Sequence, residues 1–141
     1  MFGRSAPVAR YVVMAMNVAV GLRGEARLVV TPADTARTWG SGDVDVLATP
    51  RLVALFEQAT IDALRGILDE GQTSVGMRVQ IDHLQPTPIG GEVTVESHLE
   101  RIEGRRMTFT VTASDKGGLV AAGKVTRVTV DVDRFMGKCC G

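Results

Sequence analysis

The stretch Ala48-Thr49-Pro50-Arg51-Leu52-Val53-Ala54-Leu55-Phe56-Glu57-Gln58-Ala59 decides the fold, because it opens a helix that is apolar around most of its circumference. Thr is a favoured N-cap and Pro is favoured in the first turn, so we expect the helix to begin at Thr49. The run Asp69-Glu70-Gly71 indicates its end, since Gly suits a left-handed C-terminal cap. The sequence therefore predicts a largely buried helix over about 49–69.

Glu57 is the exception on this helix. On a wheel of roughly 100° per residue it falls between Leu64 and Leu68, away from the polar side. A buried carboxylate is costly unless it is paired. Two interpretations remain open: a structural Glu that binds a backbone N–H or an Arg inside the fold, or a general base or nucleophile with a tuned pKa.

The segment Ser74-Val75-Gly76-Met77-Arg78-Val79-Gln80-Ile81-Asp82-His83 reads as a strand. Alternation with a period of two places His83 in one row with Met77, Val79 and Ile81. The imidazole therefore continues an apolar, inward row. A histidine in this position is either a satisfied core residue or a proton carrier near neutral pH, and the pattern alone does not choose.

Composition and charge narrow the function classes. The chain has 141 residues, 45% of them hydrophobic, which fits one domain with its own core. Lys and Arg total 16 and so do Asp and Glu, which argues against a nucleic-acid partner. Cys139 and Cys140 form neither a disulfide framework nor a zinc spacing, which favours a reducing, cytoplasmic setting. Neither a phosphate loop nor a Rossmann glycine pattern is present, so we expect no cofactor and no metal.

The two ends of the chain are read as additions to the domain. Arg4 and Arg10 precede an apolar run from 11 to 20, which is interrupted by Asn17 and too short to span a membrane. We interpret residues 1–20 as an N-terminal extension, with a secretory signal as the alternative. The domain then covers 21–136, and 137–141 form a flexible tail whose paired cysteines have prenylation as an alternative role.

The order of elements predicts an α+β fold. A first strand at 26–30 and a loop over 31–46 precede the helix. Four strands follow at about 72–84, 91–102, 105–115 and 118–133, with turns at Glu103-Gly104 and Lys116-Gly117-Gly118. A mostly apolar helix is buried efficiently when a curved antiparallel sheet wraps around it. This is the hot-dog arrangement, in which subunits commonly pair through their sheets.

Several of these segments together resemble a known family. The stretches from Gly42 to Glu57, Val75-Gly76, and His83 to Gly90 resemble hot-dog thioesterases of the fluoroacetyl-CoA thioesterase type. Glu103 to Phe109 and Arg127 to Phe135 fit the same pattern. The resemblance covers roughly 20–136, and it implies an enzyme that hydrolyses an acyl-CoA.

The resemblance also implies a site. Thr49, Glu57 and His83 match the family's catalytic Thr, Glu and His, and Gly76 matches a glycine whose backbone N–H holds the thioester carbonyl. By this likeness Glu57 attacks the carbonyl or activates water, and His83 shuttles the proton. Thr49 orients either group, and a plain helix cap is its alternative role. Arg105 and Arg106 are candidates for binding coenzyme A phosphates, the alternative being a solvated turn.

Two further expectations concern assembly and specificity. Thr49 and Glu57 are eight helical positions apart, about 12 Å along the axis, so their side chains cannot touch within one straight helix. If both serve one site, a partner chain or a local break at the start of the helix must bring them together, and we expect a homodimer or higher homo-oligomer with its sites at the interface. The loop over 31–46 is shorter than in the family's fluoroacetyl-specific enzyme and lacks its lid phenylalanines, which favours a general acyl-CoA thioesterase.

Two other functions use the same fold. A non-catalytic acyl-CoA sensor is the main alternative, and a hydratase is a third, although the chain shows no matching Asp/His arrangement. Neither a nucleic-acid nor a membrane partner is expected. The fold alone does not choose among these functions, and Glu57 favours hydrolysis.

Overall fold

The computed structural model describes residues 18–140, which form five strands and three α-helices. The elements are β1 (Arg23–Val29), a 3-10 turn (Pro32–Asp34), α1 (Ala36–Trp39), α2 (Thr49–Ala63), β2 (Gln72–His83), β3 (Glu92–Glu103), β4 (Arg106–Asp115), β5 (Gly118–Asp131) and α3 (Val132–Cys140). All strand pairs are antiparallel, and the sheet order is β1-β3-β4-β5-β2. The predicted order of one main helix followed by four strands is confirmed.

The core lies between α2 and the inner face of the sheet. Strand β4 alternates as predicted, and its inward residues Met107, Phe109, Val111 and Ala113 are at most 1% exposed. The helix contributes Leu52, Leu55, Phe56 and Ala59, which are equally buried. Strand β1 lies so close to the helix that a Cβ on Gly24 would sit 2.9 Å from the Cα of Ala63. Strand β1 thus packs directly against α2, and only glycine fits at position 24 without a shift of the backbone.

Helix α2 is shorter than predicted, and this correction has a local cause. The helix ends at Ala63 rather than near Asp69. Gly66 has a φ of +73°, a left-handed conformation that glycine adopts without steric cost, and the chain turns there before reaching Gly71. The continued apolar pattern of Ile67 and Leu68 belongs to the turn and not to the helix.

Other boundaries also differ from the sequence prediction. Strand β1 begins at Arg23 rather than Ala26, and β5 ends at Asp131, where α3 begins. The predicted loop over 31–46 contains the 3-10 turn and α1, which is capped by the side chain of Thr35. The predicted tail at 137–141 is helical as far as Cys140.

The predicted N-terminal extension lies mostly outside the described residues. Val18, the first described residue, packs against the core, and the backbone N–H of Gly21 donates to Leu99 O at 2.8 Å. The predicted boundary near residue 20 therefore falls inside the packed chain. Among residues 18–140, no helix combines the length and apolar character that a membrane span requires.

Strand β2 lies at one edge of the sheet and carries a bulge. Its register against β5 shifts between Gly76 and Arg78, so Met77 has no paired partner. Met77 is 42% exposed and leaves the inward row in which the sequence pattern placed it. Bulges at sheet edges often re-aim side chains beside functional sites, and this bulge directly follows Gly76.

Candidate active site

Thr49 and His83 meet where the start of α2 faces the end of β2. Oγ1 of Thr49 lies 2.8 Å from Nδ1 of His83. The N-cap of α2 is Ala48, which makes no side-chain cap, and Thr49 is the first helical residue. The interpretation of Thr49 as a plain helix cap is therefore wrong, because its hydroxyl is engaged by the imidazole.

The surroundings of His83 favour its neutral form. Burial lowers the pKa of His83 from 6.5, and its contact with the main chain of Gln85 acts in the opposite direction. If Nδ1 accepts from the Thr49 hydroxyl, the ring proton resides on Nε2. In the part of the chain that the structure describes, Nε2 of His83 is buried without a hydrogen-bond partner. The surroundings thus favour a neutral imidazole whose basic nitrogen, Nδ1, faces the Thr49 hydroxyl.

Glu57 lies at the middle of α2 and is paired with Arg127. Nη1 of Arg127 lies 3.3 Å from Oε2 of Glu57. The Glu57 side chain is 36% exposed, more than the wheel predicts, whereas that of Arg127 is only 5% exposed. The ion pair fits the structural interpretation of Glu57, and the exposed part of the carboxylate leaves it accessible for chemistry.

Gly76 makes room for this carboxylate. A Cβ on Gly76 would overlap Oε2 of Glu57 and lie 3.3 Å from its Cδ. Gly76 is also the register partner of Arg127 in the β2–β5 ladder. The absence of a side chain at Gly76 therefore lets the carboxylate lie directly against the backbone of β2.

Arg127 and Ser74 are site residues that the sequence patterns did not indicate. The Nε–H of Arg127 donates to Ser74 Oγ at 2.8 Å, and Nη2 donates to Ser74 O at 3.0 Å. Burial lowers the pKa of Arg127, and the Glu57 carboxylate opposes that effect. One signal was available: Arg127 follows the buried Val125 at a spacing of two, so a strand pattern places it on the inward face.

The structure forms two separate groups from these residues and leaves the predicted arginines apart. Thr49 and His83 stand at the start of α2, and Glu57 lies eight residues further along the same helix with Gly76 and Arg127. Arg105 and Arg106 are exposed at the β3–β4 turn. Since Arg106 alternates with the buried Met107, it lies on the sheet face that points away from α2.

The site is open in the single chain. A cleft of about 560 Å³ lies elsewhere, between the segment from Pro88 to Thr94 and the turn at Ser114 to Lys116, and its lining includes none of Thr49, Glu57 and His83. Within the described part of the chain, no cluster of three or more His, Cys, Asp or Glu side chains is arranged to hold a metal ion. The groups that the candidate site presents are the hydroxyl, imidazole, carboxylate and guanidinium groups described above.

Comparison with known proteins identifies the family that the chain resembles. The model of the family described as FlK, fluoroacetyl-CoA-specific thioesterase, matches residues 30–133. The fluoroacetyl-CoA thioesterase of Streptantibioticus cattleyicolor is 33% identical over 94 residues, covering 67% of this chain and 68% of that protein.

Solved structures show the same fold. A crystal structure of the fluoroacetyl-CoA thioesterase FlK matches with a TM-score of 0.80 and 31% identity, covering 86% of this chain and 94% of that one. A hot-dog-like protein from Thermanaerovibrio acidaminovorans matches with a TM-score of 0.79 and 28% identity over 89% and 96% of the two chains. The predicted hot-dog fold is thereby confirmed, and the matched region of the family model contains Thr49, Glu57, Gly76, His83 and Arg127.

Proposed function

The chain belongs to the fluoroacetyl-CoA-specific thioesterase family, and we propose that it hydrolyses an acyl-CoA to the free acid and coenzyme A with Thr49, Glu57 and His83 as its catalytic residues. The observation that carries the assignment of the site is the placement of Glu57. Its carboxylate is part-exposed, fits against Gly76, and is held on one oxygen by the buried Arg127. No feature of the described residues favours a non-catalytic sensor over a hydrolase.

Glu57 has two chemically complete roles. As a general base it takes a proton from water while the water oxygen attacks the thioester carbonyl, and the tetrahedral intermediate then expels the thiolate. As a nucleophile it attacks the carbonyl itself, the thiolate leaves, and water hydrolyses the resulting mixed anhydride. In both routes the backbone N–H of Gly76 is our candidate donor to the developing oxyanion.

The pair formed by Thr49 and His83 supplies the proton transfer. In either route the proton comes from the attacking water or from the acid that it forms: Thr49 can accept it on Oγ1 while its own hydroxyl proton passes to Nδ1 of the neutral His83, and the imidazolium then returns a proton to the departing coenzyme A thiolate. The 2.8 Å contact and the lowered pKa of His83 support this role. The pair is about 12 Å from Glu57 along the helix, at roughly 1.5 Å per residue, so one chain does not bring both groups to one carbonyl.

A homodimer would close that gap, and we propose that the active sites lie at its interface. Strand β2 is an edge strand, and a second copy of β2 can pair with it in antiparallel orientation. A two-fold pairing centred between Val79 and Gln80 would place His83 opposite Gly76 of the second copy. Light scattering combined with an assay tests this: we expect dimers and a loss of specific activity on dilution into monomers. A fully active monomer would contradict it.

The substrate proposed is an acyl-CoA of unspecified acyl group. The relatives are named for fluoroacetyl-CoA, but the short segment between β1 and α2 gives no reason to assume the same preference. Arg105 and Arg106 remain candidates for the coenzyme A phosphates, supported by their exposure and positive charge. A cytoplasmic location also remains part of the proposal, and the free Cys139 and Cys140 are consistent with a reducing compartment.

The direct test is release of thiol from a panel of short, branched, aromatic and long acyl-CoAs, together with an acylated carrier protein. The exposed Cys139 and Cys140 would react with the thiol reagent, so the assay needs a Cys139→Ser, Cys140→Ser background. We expect turnover of at least one acyl-CoA class. Tight binding of an acyl-CoA without any turnover would instead support the sensor.

A further inference from the structure

Arg127 is an unusual residue for the interior of this sheet. Its side chain is 5% exposed, and the described contacts of its guanidinium group go to two residues only, Ser74 and Glu57. Ser74 receives two of the three hydrogen bonds, one on Oγ and one on its main-chain oxygen. A buried guanidinium is costly to keep unless its donors are satisfied, so Ser74 accounts for much of its fixed position.

We propose that Ser74 and Arg127 form a positioning relay for Glu57, in which Ser74 aims the guanidinium and Arg127 holds Oε2 so that Oε1 remains free to react. This inference rests on the proposed function of Glu57 and adds two residues to it. Neither residue needs to touch the reacting atoms, so both are positioning residues.

The planar shape of the guanidinium explains why the relay works. Its N–H groups form a rigid fork, so two bonds to Ser74 fix the plane of the group and the direction of Nη1. Nη1 then points at Oε2 of Glu57, at 3.3 Å. The missing side chain at Gly76 lets the same oxygen approach the backbone of β2, which leaves the other carboxylate oxygen as the one without a described partner.

The decisive variants are at Ser74, because Ser74→Ala removes one hydrogen bond to Arg127 and leaves the charges in place. Ser74→Thr keeps the hydroxyl and serves as the conservative rescue. Thr73→Ala, on the neighbouring exposed position of β2, is the matched control for loss of a hydroxyl. All three are assayed in the Cys139→Ser, Cys140→Ser background with the acyl-CoA that the wild type turns over best, and folding is checked by thermal unfolding.

We expect Ser74→Ala to lower kcat about tenfold with KM within about twofold of wild type, because misplacement of a reacting group affects the chemical step. Ser74→Thr should recover most of kcat, and Thr73→Ala should match the wild type. A folded Ser74→Ala variant with unchanged kcat would overturn the relay. An equal loss in Thr73→Ala would overturn it as well, since the effect would then belong to the strand.

A second measurement separates failure of the relay from failure of the proposed function. If the wild type hydrolyses no thioester, the proposed function fails, and the relay is judged by urea unfolding of Ser74→Ala, Glu57→Gln and the double variant. Each variant changes the unfolding equilibrium constant by some factor relative to the wild type. If Ser74 and Glu57 are coupled through Arg127, the factor for the double variant should differ by more than about twofold from the product of the two single-variant factors. Additivity within that limit would overturn the relay.

Discussion

Oγ1 of Thr49 lies 2.8 Å from Nδ1 of His83 and joins the first residue of α2 to the last residue of β2. The hydroxyl that a local sequence pattern assigns to helix capping is thus given to an imidazole 34 positions away. Because the same contact orients the imidazole, we propose that the hydroxyl of Thr49 has a role that a methyl group of the same shape cannot replace.

Replacing Thr49 by Val tests that role. Val keeps the branched shape and removes the hydroxyl, so we expect kcat to fall about a hundredfold, within the range typical of losing a proton-transfer partner. Thr49→Ser retains the hydroxyl and should keep most of the activity. Thr112→Val, an exposed position on β4, controls for the same chemical change. Full activity in a folded Thr49→Val variant would exclude a role for this hydroxyl.

Local sequence patterns predicted the features that depend on neighbouring residues in the chain. The periodicity of the apolar residues predicted α2, the four strands that follow it and the inward-facing residues of β4. They also singled out Glu57 and His83 as polar groups on apolar faces. These patterns led to the α+β fold class and to two candidate site residues, whereas the site roles of Thr49 and Gly76 were implied by the resemblance to the thioesterase family.

The contacts between distant segments were not predictable in this way. The pairing of Glu57 with Arg127 joins positions 70 residues apart, and Ser74 is 53 residues from Arg127. The end of α2 was misplaced because Ile67 and Leu68 continue the apolar pattern past Gly66, where the backbone has already turned. Both failures arise where tertiary contacts, or one glycine, override the local period.

The lowered pKa of His83 predicts a specific dependence of stability on pH. In the unfolded chain His83 titrates near 6.5, whereas burial lowers its pKa in the fold. As the pH falls through 6.5, the unfolded state takes up the proton first, so the free energy of unfolding decreases. This contribution is complete above about pH 7 and is lost between the ordinary and the lowered pKa.

Urea unfolding of the wild type and of His83→Gln from pH 5 to pH 8 measures this contribution. We expect the difference in unfolding free energy between the two proteins to be independent of pH above about pH 7. Below about pH 6.5 the wild type should lose stability relative to His83→Gln. A relative gain in wild-type stability at low pH would mean that the folded protein favours the charged imidazole, contrary to the environment described here.

Gly76→Ala tests the close approach of Glu57 to β2. The added Cβ would overlap Oε2 of Glu57, so the carboxylate must move. We expect kcat to fall about a hundredfold, while stability changes little because the atoms that must move are the end of a flexible side chain. Kinetics and thermal unfolding measure the two effects.

Gly137→Ala is the matched control for this substitution. A Cβ on Gly137 would meet nothing within 4 Å, and Gly137 lies in α3, away from the site. Alanine in a helix is favoured over glycine by about 1 kcal/mol, so this variant should be active and slightly more stable. Wild-type kinetics in a folded Gly76→Ala variant would show that the position of the Glu57 carboxylate does not matter.

The most direct test of the account compares hydrolysis of acyl-CoA by the wild type, Glu57→Gln and Glu70→Gln in the background without Cys139 and Cys140. Gln keeps the size of Glu and removes its charge, and Glu70 is an exposed carboxylate outside α2 that serves as the control. We expect turnover to fall at least about a hundredfold in Glu57→Gln and to stay at the wild-type level in Glu70→Gln. A folded Glu57→Gln variant that hydrolyses acyl-CoA as fast as the wild type would contradict the assignment of Glu57 as the residue that drives hydrolysis.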